Sequence, residues 1–295
     1  MHYYKYMNHK DSNIKCEYTN IKKIVESLPI FRSRFAEYEC LKYNYRRIIY
    51  KVYDTINNCY ATAKFIIKHN IEEESLTLIN FLRNNHHKNM AEIYELGTIG
   101  NFYVILIKYI EGLRFNDFIC GGHDCTVVKS AISGIIDGLY FLHSNNILHS
   151  DIKPSNIIVD SNNVAKIIDF DMLMKINSQY VVSNVIVGTY PYIPNEIMTK
   201  KTYYLKSDMW GLGVTIIRSL FEWRRHELHE TSNYENEYIG TEQNPVPFNY
   251  EEIDLSFAIT HKIDSNILTL IHKMVLNDVS NRLSSADAVK ILKNM

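Results

Sequence analysis

Between His149 and Asp171 the chain reads HSDIKPSNIIVDSNNVAKIIDFD, and no other stretch restricts the molecule as much. Asp151 is followed by Lys153 and Asn156, and a short apolar run from Ala165 to Ile168 leads into Asp169 and Phe170. One carboxylate can accept the proton of an attacking hydroxyl, an ammonium group two residues on can neutralise a moving phosphoryl group, and an amide oxygen with a second carboxylate can hold Mg²⁺. Such chemistry asks the protein for position and charge more than for covalent work.

Composition narrows the setting. A chain of 295 residues with 46% hydrophobic residues suits one bilobal unit or two small domains. The net charge of -1 gives no bulk electrostatic case for nucleic acid or an anionic membrane as the main partner. Five cysteines, at 16, 40, 59, 120 and 125, form no C-x-x-C pair, which points to a reduced, intracellular protein in cytoplasm or nucleus. No run reaches the roughly 18 apolar residues that span a bilayer, and the first twenty residues are too polar for a signal peptide. With only 11 Gly and 6 Pro among abundant Tyr, Asn, Ile and Lys, glycine motifs are expected to have eroded.

The run from His149 to Phe170 resembles the catalytic loop and metal-binding Asp of the eukaryotic-type protein kinases, H-R-D-x-K-x-x-N followed by D-F-G. The resemblance extends over about residues 36–292. It implies an α+β, bilobal protein-kinase-like fold: an N-lobe of antiparallel β-sheet plus one helix at about 36–107, a hinge at 108–112, and a mainly helical C-lobe at about 113–295. Residues 1–35 then form an N-terminal extension, in which Ile21, Ile24, Val25 and Leu28 trace a short amphipathic helix stopped by Pro29. That helix either packs on the domain's own surface or recruits a partner.

Within the resemblance, Ala61-Thr62-Ala63-Lys64 falls on a strand where the family carries V-A-I-K, so Lys64 becomes the lysine for the α- and β-phosphates of ATP. Ile49 and Thr62 would contact adenine from above and Ile158 from below, while Lys108, Tyr109 and Ile110 would offer hinge backbone groups behind a gatekeeper, Ile107. A helix opening at Glu72-Glu73-Glu74 supplies the carboxylate that aims Lys64, with Glu74 chosen because Leu78 and Leu82 follow one and two turns on. Asp151 is the expected base, Lys153 the group stabilising the transferred phosphoryl, and Asn156 with Asp169 the holders of Mg²⁺, or of Mn²⁺ in its place.

Four departures stand out. The stretch Leu41 to Arg47 replaces the glycine-rich loop without a glycine, so Lys42, Arg46 and Arg47 hold the phosphates by side-chain charge, or the lid no longer serves ATP, as in a pseudokinase, or Asn44 merely tolerates the turn and the cations are solvated. Ser150 stands where many kinases have the Arg that receives an activation-loop phosphate. Asp171 replaces the last Gly of D-F-G, a place where a left-handed backbone would suit Asp better than most residues. Pro194-Asn195-Glu196 replaces Ala-Pro-Glu at the end of the activation segment, after Gly188-Thr189.

Downstream, Asp208 is expected to anchor the catalytic loop, and Arg282 to pair with Glu196 in a buried bridge. His226, Glu227 and His229 lie in a polar stretch from Trp223 to Tyr250 and lack the spacing of a zinc motif. Lys153 with Thr189 resembles the serine/threonine branch, which implies protein substrates and ATP. The rivals are a pseudokinase that binds and regulates a partner, and a small-molecule kinase of related fold, against which Glu196, Asp208 and Arg282 speak.

Overall fold

A computed structural model describes residues 21–44, 46–227, 250–259 and 263–295. The chain forms two compact units. The smaller takes the described residues up to His87 together with Ala91–Ile110, and the larger takes Lys88–Met90 and Glu111–Met295.

The small unit is built on strand alternation. Strands β1 (Phe35–Tyr43), β2 (Arg47–Asp54), β3 (Cys59–Ile67), β4 (Ile93–Ile99) and β5 (Phe102–Lys108) form an antiparallel sheet in the order β1-β2-β3-β5-β4. Along β2 every second residue is buried, as period-2 geometry requires. Ile48, Tyr50, Val52, Ala61, Ala63 and Phe65 therefore share one apolar face. Ile49, Thr62 and Lys64 point the other way, with Ile49 opposite Lys64 and Thr62 opposite Ile107.

Two short helices, α1 (residues 21–27) and α2 (Pro29–Arg34), cover the apolar face, where Val25 and Phe31 are fully buried. Phe31 meets the rings of Tyr38, Tyr50 and Phe35 edge-on at 5.0, 5.1 and 5.4 Å. Burying a side chain of this size stabilises by roughly 1.5–3 kcal/mol. The amphipathic helix read from Ile21 to Leu28 thus packs on the unit's own sheet.

Arg34 ties this cover to the sheet. Its guanidinium donates to both oxygens of Asp54, at 2.9 and 2.8 Å, and to both of Glu95, at 2.8 and 2.7 Å. Burial alone would raise the Asp54 carboxyl, but hydrogen bonds from Arg34, Asn57 and the Ile56 amide outweigh it and lower it to about 2. An unfolded Asp titrates near 3.9, so Asp54 adds stability that is complete above that pH and lost as pH falls through the folded value. The small unit is accordingly expected to weaken between about pH 4 and about pH 2. Urea midpoints measured across that range should fall in the wild type and flatten in Asp54→Asn; parallel curves would count against the assignment.

In the large unit, Asp124 caps α5 (Cys125–Ser144) by accepting from the amides of Thr126 and Val127 at 2.9 and 3.0 Å. By length and composition α5 is apolar enough to cross a bilayer, contrary to the expectation that no run would be. Val128, Ile132, Ile135, Ile136 and Leu139 are buried in the unit's core, which accounts for the apolarity. Asn89 crosses α5 closely, since a Cβ on Gly134 would lie 2.6 Å from its Nδ2. The Asn89 carbonyl also accepts from the Ile167 amide at 2.9 Å, and its Nδ2 donates to the Ala165 carbonyl at 2.8 Å, which draws Lys88–Met90 into this unit.

Short strands shape the functional loops: β6 (Gly112–Arg114), β8 (Ile157–Asp160) and β9 (Ala165–Ile167) form one sheet, while β7 (Ile147–Leu148) pairs with β10 (Met174–Lys175) and β11 (Val181–Val182) with β12 (Thr202–Tyr203). Helices α4 (Phe115–Cys120), α6 (Asn195–Lys200) and α7 (Lys206–Glu227) precede α8 (Ser256–Ile259), α9 (Ser265–Met274) and α10 (Ser285–Lys293). Of the polar stretch from Trp223 to Tyr250, residues 228–249 lie outside the described residues, and His229 with them.

Candidate active site

The loop from His149 to Asn156 is held from below by Asp208, in the first turn of α7. The Asp208 carboxylate accepts from the amides of His149 and Ser150 at 2.8 and 2.9 Å. Two amides on one carboxylate fix the loop's path. Ser150 has φ 68, a left-handed conformation that costs a non-glycine residue roughly 1–2 kcal/mol, and Asp208 receives its amide in that pose. His143, near the end of α5, adds a partner that the chain's motifs did not announce. Its Nε2 lies 3.0 Å from Asp208 and its Nδ1 2.8 Å from the Ser285 hydroxyl of α10. A histidine that continues the apolar face of α5, after Val128, Ile132, Ile135, Ile136 and Leu139, was the available signal.

Above this anchor, Asp151, Lys153, Asn156 and Thr189 converge. Lys153 Nζ donates to Asp151 Oδ2 at 2.7 Å and to Thr189 Oγ1 at 2.6 Å, and Thr189 Oγ1 donates to Asp151 Oδ1 at 2.6 Å. Asn156 Nδ2 donates to the Asp151 carbonyl at 2.8 Å and to Asp151 Oδ2 at 3.0 Å. That orientation commits the amide nitrogen and turns Oδ1 away from Asp151. The Ile168 amide donates to the Asn156 carbonyl at 2.9 Å, which sets Asp169 beside the same loop. An amide oxygen and a carboxylate are the hard oxygen donors that suit Mg²⁺.

Within Asp169-Phe170-Asp171 the left-handed residue is Asp169, at φ 67, and not Asp171, where the missing glycine had suggested one. Asp tolerates that region better than most residues, so the second carboxylate itself takes the turn. Phe170 is buried behind it, edge-on to His149 at 6.1 Å.

Thr189 is delivered by a braced segment. Gly188, at φ 126, brings the backbone so close that a Cβ would lie 2.9 Å from the Ser150 carbonyl. The fully buried Tyr203 hydroxyl accepts from the Val187 amide at 2.6 Å and donates to the Val185 carbonyl at 3.2 Å. Removing it should cost about 1 kcal/mol locally. Tyr203→Phe is expected to speed hydrogen exchange at the Val187 amide while α5 keeps wild-type protection; unchanged exchange at Val187 would show that the hydroxyl does not brace the segment.

In the small unit, Lys64 is 3% exposed and lies between Ile49 of β2 and Ile105 of β5. At the end of β5 the Lys108 amide donates to the Glu92 carbonyl at 2.8 Å and the Tyr109 amide to the Tyr60 carbonyl at 3.2 Å. Ile110 follows, and Ile158 occupies the middle of the β6-β8-β9 sheet in the large unit, opposite Arg114 and Lys166.

The Glu74 assignment needs correction. Helix α3 (Glu73–Asn84) buries Ser75, Leu78, Ile79 and Leu82, and Glu74 lies exposed. The spacing 74, 78, 82 drifts around a helix of 3.6 residues per turn, whereas 75, 78, 79 and 82 hold one face, so Ser75 takes the buried place in the first turn.

The protein kinase domain model matches residues 47–292. Over 182 residues the chain is 28% identical to MAP3K epsilon protein kinase 1 of Arabidopsis thaliana, covering 58% of this chain and 13% of that one. It is 26% identical over 239 residues to serine/threonine-protein kinase D of Synechocystis, covering 77% and 42% respectively. Against serine/threonine-protein kinase STE20 of Saccharomyces cerevisiae it is 26% identical over 227 residues, covering 72% of this chain and 24% of the relative. The chain therefore spans less than half the length of each of these relatives. With the loop, its Asp208 anchor and the matched span in agreement, the chain belongs to the protein kinase domain family.

Proposed function

We propose that this chain is a serine/threonine protein kinase, transferring the γ-phosphate of ATP to hydroxyl groups of intracellular protein substrates. The observation that carries the reading is the convergence of Lys153, Asn156 and Thr189 on the Asp151 carboxylate. Asp151 accepts the proton of the substrate hydroxyl as its oxygen attacks the γ-phosphorus and the bond to the β-phosphate oxygen breaks. Lys153, already at hydrogen-bond distance from the base, offsets negative charge on the transferring group. Asn156 and Asp169 would hold Mg²⁺, or Mn²⁺, and the bound ion would neutralise charge on the phosphate oxygens.

Lys64 is assigned to the α- and β-phosphates. Ile49 and Thr62 of the small unit are assigned to adenine, as is Ile158 of the large unit, and the backbone from Lys108 through Tyr109 to Ile110 is assigned to its edge. The serine/threonine preference is supported by Thr189, which shares its hydroxyl with both Asp151 and Lys153, and by the names of the relatives.

Phosphoamino acid analysis tests this. A degenerate peptide pool containing Ser, Thr and Tyr, labelled from γ-labelled ATP, should carry label on Ser and Thr. Label confined to Tyr would overturn the specificity, and bound Mg-ATP with no transfer would favour a regulatory, non-catalytic role.

A further inference from the structure

The hairpin joining β1 to β2 closes on itself. Asn44 Oδ1 accepts from the amides of Arg46 and Arg47 at 2.9 and 3.0 Å, and the Asn44 amide donates to the Arg47 carbonyl at 2.9 Å. Two of the amides that a phosphate-binding turn would offer are thus occupied by a side chain of the turn itself. No glycine precedes Gly97 in the chain, so no residue of this hairpin lacks a Cβ.

Register shows what stands in for them. From Tyr38 to Cys40 the pairing of β1 with β2 is regular, with Cys40 opposite Tyr50, and it then shifts so that Lys42 lies opposite Ile49. Without that shift Lys42 would lie opposite Ile48, on the apolar face of the sheet. A β-bulge at Leu41 adds the one residue that moves Lys42 to the other face. Ile49 is also opposite Lys64, so Lys42 and Lys64 flank it from the two neighbouring strands. Neighbouring strands lie about 4.8 Å apart, which spaces the two lysine backbones by about 10 Å. Arg47, two residues before Ile49 and opposite Ile66, is on this face as well. A fourth cation there, Lys51, sits toward the other end, over the rings of Tyr60 and Tyr109 at 5.1 and 4.4 Å, with Glu39 opposite it.

We propose that the small unit binds the polyphosphate of its nucleotide through a side-chain clamp, Lys42 and Arg47 beside Lys64, in place of backbone amides. The inference rests on the reading of this chain as an ATP-using kinase. Two point charges flanking Ile49 and a planar fork two residues before it suit a polyanion and offer nothing to an uncharged nucleoside. Removing one charge-assisted hydrogen bond should lower affinity about 10-fold. Affinity for ATP should also fall more steeply with salt than affinity for adenosine, because only the ATP contact joins opposite charges.

The test is calorimetric titration of the full chain with ATP and separately with adenosine, for the wild type, Lys42→Gln, Arg47→Gln and the double variant. The inference expects ATP affinity to fall about 10-fold in each single variant and further in the double, with adenosine affinity held within about twofold. Equal ATP affinity in wild type and double variant would overturn the clamp while leaving the nucleotide reading intact. Parallel loss of ATP and adenosine affinity would overturn it too, by showing a damaged fold. A wild type that binds neither ligand would remove the kinase reading on which the clamp rests.

Discussion

Asp151→Asn is expected to lower phosphate transfer by roughly two to four orders of magnitude, with little change in the melting temperature. The substitution keeps the shape of the side chain and removes its capacity to hold the hydroxyl proton. Three donors converge on this carboxylate, from Lys153, Asn156 and Thr189 at 2.7, 3.0 and 2.6 Å. An Asn can still accept from some of them, so the loop keeps its anchor on Asp208 and the loss falls on the chemistry. Single-turnover transfer from γ-labelled ATP, read beside thermal unfolding, separates the two effects. Activity within a few-fold of wild type would remove Asp151 from the role of base.

Arg282→Ala should cost the large unit roughly 3–5 kcal/mol, measured by urea unfolding. Arg282 has no exposed side-chain surface, and its guanidinium meets both oxygens of Glu196 at 2.6 and 2.9 Å. Its Nε also donates to the Leu276 carbonyl at 2.8 Å, and the plane lies 5.0 Å from the Trp210 ring. Truncation strands the Glu196 carboxylate, 9% exposed, with the Ser207 hydroxyl at 3.1 Å as its remaining hydrogen-bond partner among the described residues. The penalty is that uncompensated charge more than the worth of the pair. Combining Arg282→Met with Glu196→Gln should therefore recover much of the loss. A double variant as unstable as Arg282→Ala would place the cost in packing instead.

The residues whose positions depend on local spacing were legible in the chain. Asp151, Lys153 and Asn156 lie within one loop, and their relation follows from that loop's path. Asp208 and the Glu196–Arg282 bridge were legible for another reason, because the motifs that carry them resemble those of the family, and the buried charges do find the partners so implied. Strand alternation likewise placed Ile49, Thr62 and Lys64 on one face.

What failed was phase. Glu74 was chosen on a spacing of four, and one residue of drift exchanged it for Ser75. The bulge at Leu41 is a change of phase that overturns no expectation, but one inserted residue moves Lys42 across the sheet and no periodic pattern announces it. The hydrogen bonds of Asn44 were hidden for a different reason. A turn residue that uses its own oxygen to satisfy two amides reads, in sequence, like any Asn in a turn.

Asp151 and its partners are expected to form a working phosphotransfer centre despite a hairpin without glycine. The measurement that decides this is transfer of label from γ-labelled ATP, with Mg²⁺, to a serine/threonine peptide by the purified full chain. Incorporation should be steady, require the metal and collapse in Asp151→Asn. A folded protein that binds Mg-ATP yet transfers no label, to the peptide or to itself, would contradict it.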